Sequence, residues 1–186
     1  MIIWLSQFFF VYLHQKKMKI EVLSHYLFDE KMKKMGLDDD NVENTNMAFI
    51  SIIGTKECLK YYLDEEHTKH YFKDHSNVLN LDFDDIDDDI IYHGHQFKAM
   101  SIEQAKETVD FIENIIETGI CDVKIHCRAG MSRSRAIAEF IYRYCQENNI
   151  EVIYEERNNY TTLLNQGVLT KLNHAYWKKH KINGYE

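Results

Sequence analysis

The stretch VKIHCRAGMSRSRAIAEF, residues 123–140, opens with alternating apolar side chains and closes in a helical pattern. Between the two lies a short loop with one Cys, one Gly, two Ser and two Arg. A buried strand that enters a loop and leaves as a helix builds an anion site. The first amides of a helix have no partner within it, and its dipole adds partial positive charge.

Working outward, Lys19–Leu23 reads as a short strand, and 24–35 as a helix with Ser24 as its cap and Gly36 as its stop. MAFISII, 47–53, is an unbroken apolar run, as expected of a strand covered on both faces. Residues 56–75 read as one or two short helices, and NVLNLDF, 77–83, as another strand. SIEQAKETVDFIENIIETG, 101–119, has capping-box spacing at Ser101 and Gln104 and an apolar stripe that includes Ile102, Ala105, Val109, Ile112 and Ile116. CDVKIHC returns as a strand, a helix follows from Ser132 to Glu147, and 158–180 is helical with a break near Gly167. Strands alternating with helices predict an α/β fold, a central mostly parallel sheet with helices on both faces.

The chain has 186 residues, enough for one domain with a sizeable core. Its opening, MIIWLSQFFFVYL, is apolar but too short to span a bilayer, and it lacks the basic start and cleavage site of a signal peptide. We expect an accessory extension over 1–17, a single domain over 18–186 and no integral membrane span. The net charge of −8 argues against a nucleic-acid backbone as partner, though not against an anionic substrate at a local positive site. Cys58, Cys121, Cys127 and Cys145 form no CxxC pair, so no disulfide framework or zinc site is expected, and a reducing, cytoplasmic setting fits. HGH at 93–95 offers two imidazoles without a partner ligand and reads as a polar loop. No metal and no cofactor are expected.

In the loop, Gly130 permits a tight curl with positive φ, so the amides of Arg128, Ala129, Gly130, Met131 and Ser132 can point inward around phosphate oxygens. Arg133, at the head of the helix, has a planar fork that holds two such oxygens at once. The same amides stabilise a thiolate at Cys127, which then lies beneath the phosphate for in-line attack. His126 would order the loop by hydrogen bonding to backbone, and the Ser134 hydroxyl could donate to the departing sulfur.

HCRAGMSRS resembles the HCxxGxxRS signature of the cysteine-dependent protein tyrosine phosphatases, a CX5R motif, and the AGMSRS variant resembles the dual-specificity branch. The resemblance implies a phosphatase-like fold and a phosphomonoester hydrolase that works through a phosphocysteine intermediate. The expected partner is a phosphorylated protein or peptide: phosphotyrosine, with phosphoserine and phosphothreonine left open. Phosphate or another oxyanion would bind in the loop. Relatives that act on lipids or RNA 5′ ends tend to carry loop Lys residues, and this loop has Arg128 but no Lys. The alternative is a catalytically weak, phosphate-binding pseudophosphatase module.

The resemblance further implies a general acid, an Asp on a mobile loop upstream of the Cys. In NVLNLDFDDIDDD the expected place falls on Asp84 and Asp85, with Asp85 favoured. The separation from Cys127 is long for the family and implies an insertion. The Asp run does not spell an EF-hand, since a loop beginning at Asp85 would carry Ile90 at position 6 and Gln96 at position 12. The family also places an Asn near the start of a late helix against the site, here Asn158 or Asn159. Cys121 and Cys127 are too far apart along one strand to form a disulfide.

Overall fold

Chain segments whose apolar residues run without alternation need cover on both faces, and Met47–Ile53 has it. The computed structural model describes residues 17–62, 68–155 and 163–180. Its main sheet has five strands, β1 (Lys17–Ser24), β2 (Met47–Ile53), β3 (Val78–Asp82), β6 (Asp122–Cys127) and β7 (Glu151–Ile153), in the order β3-β2-β6-β1-β7 and all parallel. Two further strands, β4 (Ile90–Tyr92) and β5 (His95–Phe97), form a separate antiparallel pair.

Helices α3 (Ile102–Glu117), α4 (Arg133–Glu147) and α5 (Gln166–His180) cover one face of the sheet. Their apolar sides meet Ile20, Val22, Ile50, Ile52, Leu81, Val123 and Ile125 in the larger core. On the other face α1 (His25–Met35) brings Phe28 and Met32 against Phe49, Phe72 and Val78. The short α2 (Lys56–Tyr61) lies beyond the end of β2. The architecture is therefore the α/β arrangement expected, with every strand of the main sheet parallel.

The local signals act as read. Ser24 accepts from the Leu27 amide at 3.3 Å, and Gly36 closes α1 with φ +67. Ser101 and Gln104 form a complete capping box. Other boundaries differ. β1 begins at Lys17, two residues before the expected strand, because Lys17–Lys19 pairs with β7 and Lys17 meets Glu151 at 2.9 Å. β7, of three residues, carries too short a pattern to be read. Among the described residues of 56–75, α2 is the one helix, and 68–75 is irregular. HGH is the corner of a hairpin rather than a plain loop: His93 and Gly94 have φ +48 and +78, the two positive values a two-residue primed turn needs. The expected extension lies, apart from Lys17, outside the described residues, as do Asn158 and Asn159.

The topology decides where a site can form. β6 lies between β1 and β2, so chains leave the sheet in different directions at its carboxyl end, and that divergence opens a crevice. Cys127 is the last residue of β6.

Candidate active site

Four segments converge on Cys127. The loop 128–132 runs from β6 into α4 and folds under the end of β1. Gly130 takes φ +70, and a Cβ there would come within 2.7 Å of the Leu23 carbonyl. Both the backbone angle and the space demand glycine. The His25 amide donates to Arg128 O at 3.2 Å, and the buried Arg135 donates through Nε to Gly130 O at 3.0 Å. The start of α1 and the first turn of α4 thus hold the loop from two sides. A Gly130→Ala variant is expected to lose about 2 kcal/mol of stability, which denaturant titration checks.

The Cys127 side chain is 3% exposed and its sulfur lies 3.1 Å from Ser134 Oγ. Burial alone raises the thiol pKa. The Arg133 charge, the Ser134 hydroxyl and the amides of Ser134 and Gly130 outweigh it, so the net shift is downward. Cys58 and Cys145 go the other way. Burial pushes both up to about 12, helped at Cys58 by the Asp84 carboxylate.

Arg133 is the first residue of α4 and is 7% exposed. Its Nη1 donates to Phe83 O at 2.7 Å, and its buried Nε has no hydrogen-bond partner. A buried guanidinium with an N–H left over is costly unless an anion completes it.

His126 is fully buried against Phe28, with ring centroids 4.2 Å apart, and edge-on to His25 at 5.0 Å. Burial first, then the charges of His25, His70 and Arg133, hold it well below the usual histidine range. Neither ring nitrogen has a hydrogen-bond partner, so the neutral ring supports the loop by packing and not through the backbone hydrogen bond expected of it.

The two aspartates differ sharply. Asp84 is 1% exposed, and its carboxylate accepts three hydrogen bonds of 2.8 Å, from the Thr55 amide, the Thr55 hydroxyl and the Lys98 amide. It clasps the start of α2 to the end of β5. Asp85 is exposed on the rim of the crevice, where Oδ1 accepts from Ser132 Oγ at 2.7 Å and from Asn165 Nδ2 at 2.9 Å. Ser132 flanks α4 without capping it, because its hydroxyl is committed to Asp85.

Asn165 is the supporting residue that sequence reasoning did not single out. It is 7% exposed and stands just before α5, where its Oδ1 accepts from the Val168 amide at 2.9 Å. One amide group therefore caps the helix and fixes Asp85. The cap signal was present, an Asn three positions before the apolar-periodic VLTKL. Two residues on, the Gly167 amide donates to Asp87 Oδ1 at 2.8 Å, and a Cβ at Gly167 would lie 2.7 Å from Asp87 Cα. Only glycine allows the acid loop to lie so close to α5.

The crevice has a volume of about 270 Å³. Cys127, Arg128, Ala129, Met131, Ser132 and Arg133 form its floor, Asp84 and Asp85 one side, and Ile53, Leu59, Tyr62, Ile86 and Phe97 an apolar wall. The floor suits a tetrahedral anion and the wall a flat apolar group attached to it. Among the described residues, no group of three or more His, Cys, Asp or Glu is placed to hold a metal ion, and no helix is long and apolar enough to cross a membrane.

No family model matches the chain, and no curated protein matches it by sequence. Among solved structures it is similar to the crystal structure of human tyrosine phosphatase-like serine/threonine/tyrosine-interacting protein, at 19% identity over 82% of this chain and 83% of that one, with a TM-score of 0.38.

Proposed function

We propose that the chain is a cysteine-dependent phosphatase of the protein tyrosine phosphatase superfamily, dual-specificity-like, that hydrolyses phosphomonoesters on proteins without metal or cofactor. The observation that carries the reading is the pairing of Cys127 with Arg133. A buried thiol drawn downward by charge and amides lies beside a buried guanidinium whose Nε lacks a partner. A phosphate held between them satisfies both.

The chemistry has two steps. The Cys127 thiolate attacks phosphorus, the S–P bond forms, and the P–O bond to the substrate breaks. The Asp85 carboxyl gives its proton to the leaving oxygen. Water then attacks phosphorus while Asp85 takes its proton. The S–P bond breaks, and the Ser134 hydroxyl donates to the sulfur as charge returns to it. Arg133 and the loop amides carry the charge of the phosphoryl oxygens through both steps. Asp85 suits the proton transfer better than Asp84, whose oxygens are occupied by three donors. The apolar wall favours phosphotyrosine, and a thiolate enzyme belongs in a reducing, cytoplasmic setting.

An Asp85→Asn variant is expected to lower kcat on a phosphotyrosine peptide by about 10²–10⁴-fold. The pH profile carries the sign. A depressed Cys127 pKa leaves thiolate above that pKa and loses it as pH falls through it, so the acid side of kcat/KM rises with pH in both proteins. An unchanged kcat in Asp85→Asn would remove Asp85 from the mechanism. Tight phosphopeptide binding with no turnover in the parent would leave the binding module in its place.

A further inference from the structure

We infer that the β4–β5 hairpin reads the peptide beside the phosphorylated residue and selects a segment that carries an apolar residue next to a basic one. This inference rests on the crevice being a phosphate site. The hairpin sits in the extra chain between the proposed acid and α3, and it packs on α2 through aromatic rings. Tyr61 meets Tyr92 at 5.9 Å, His95 at 5.2 Å and Phe97 at 5.5 Å, and Tyr62 meets Phe97 at 6.3 Å.

Register shows how the surface joins the crevice. Ile90 pairs with Phe97 and Tyr92 with His95, so these four side chains share one face, the face toward α2. Phe97 lines the crevice, and its direct partner Ile90 is the next apolar group outward, followed by Tyr92. Ile90, Ile91 and Tyr92 are 46%, 78% and 51% exposed, and Tyr62 on the crevice wall is 57% exposed. Ile90 and Tyr92 on this face, with Ile91 on the opposite one, leave large apolar side chains exposed on a two-stranded sheet, which is unusual because edge strands are ordinarily protected by charge. Among the described residues neither strand pairs with any strand but its partner, so the hairpin has two free edges. Such an edge takes up an extended peptide by strand addition, with alternate side chains providing selection.

The charge around the row supplies the second half of the selection. Asp87, Asp88 and Asp89 are exposed and lead directly into Ile90. A bound peptide that continues from the phosphate along Ile90 and Tyr92 passes this run, where Lys or Arg is favoured and Glu or Asp repelled.

The test compares two phosphotyrosine peptides, one flanked by Leu and Lys and one by Ala and Glu, with p-nitrophenyl phosphate, which has no flank. A double variant Ile90→Thr, Tyr92→Thr is expected to raise KM for the Leu/Lys peptide about tenfold and to leave kcat/KM on p-nitrophenyl phosphate unchanged. Asp88→Lys, at a side chain far less engaged in packing, is expected to narrow the preference between the peptides. Equal kinetics of parent and variants on both peptides would overturn the inference. So would parent-only binding to phosphatidylcholine vesicles or parent-only dimerisation, either of which would give the row another occupant. Should the parent turn over nothing, the same comparison is made by calorimetric binding of the peptides, so a failure of the catalytic reading is told apart from a failure of this one.

Discussion

A Cys127→Ser variant is expected to lose turnover of an aryl phosphate by about 10⁴-fold or more while still binding inorganic phosphate. The two outcomes separate because different groups produce them. Binding draws on Arg133 and the loop amides, none of which the substitution touches. Attack draws on a thiol that its surroundings push toward the ionised form. A serine hydroxyl is far too weak an acid to ionise there, and the nearest imidazole, His126, is buried under the loop for packing. Steady-state assay and calorimetric titration with phosphate check the two halves. Turnover that survives the change would sink the mechanism, and phosphate binding that disappears with it would mean the loop depends on the sulfur for its shape.

Arg133 carries the other large expected effect. Arg133→Lys keeps the charge and loses the fork, so kcat/KM is expected to fall by about 10²–10³-fold. The thiol pKa should stay low. Arg133→Met loses the charge as well. Because that charge is the largest influence that lowers the Cys127 pKa, the thiol is expected to titrate at higher pH in this variant. Ultraviolet absorbance of the thiolate across a pH series follows the shift. A Met variant with an unmoved thiol would assign the activation to the amides alone. Both variants also leave Phe83 O without its present donor, so their thermal stability should be measured alongside.

The strand, loop and helix around Cys127 were legible because the signals that build the head of a helix are local. Six consecutive positions after a strand contain the glycine, the amides and the guanidinium. The cores of α1, α3 and α4 were legible for the same kind of reason, since caps and apolar stripes act within a few residues. What escaped acts across the chain. Asn165 reaches Asp85 from eighty positions away, and the segment read as breaking near Gly167 is continuous helix over Gln166–His180. Arg135 looks like an exposed helix residue until α4 is docked, and then its side chain holds Gly130 O. The Asp run was unreadable residue by residue because each carboxylate serves a different partner: Thr55 and Lys98 for Asp84, Ser132 and Asn165 for Asp85, Gly167 for Asp87 and Ala99 for Asp89. The hairpin escaped because its strands have three residues each and its turn is His-Gly, where Asn-Gly or Asp-Gly would have announced it.

Those same carboxylate contacts change how the acid loop should be pictured. The family resemblance implied a moving loop that brings its aspartate in. Here the segment is tied at Asp84 to α2 and β5, at Asp85 and Asp87 to α5, and at Asp89 to the chain that leads into α3. If Asp85 is the acid, as proposed, a segment held at so many points would bring it to each encounter already in place, and the entropy of closing a lid would not enter the activation barrier.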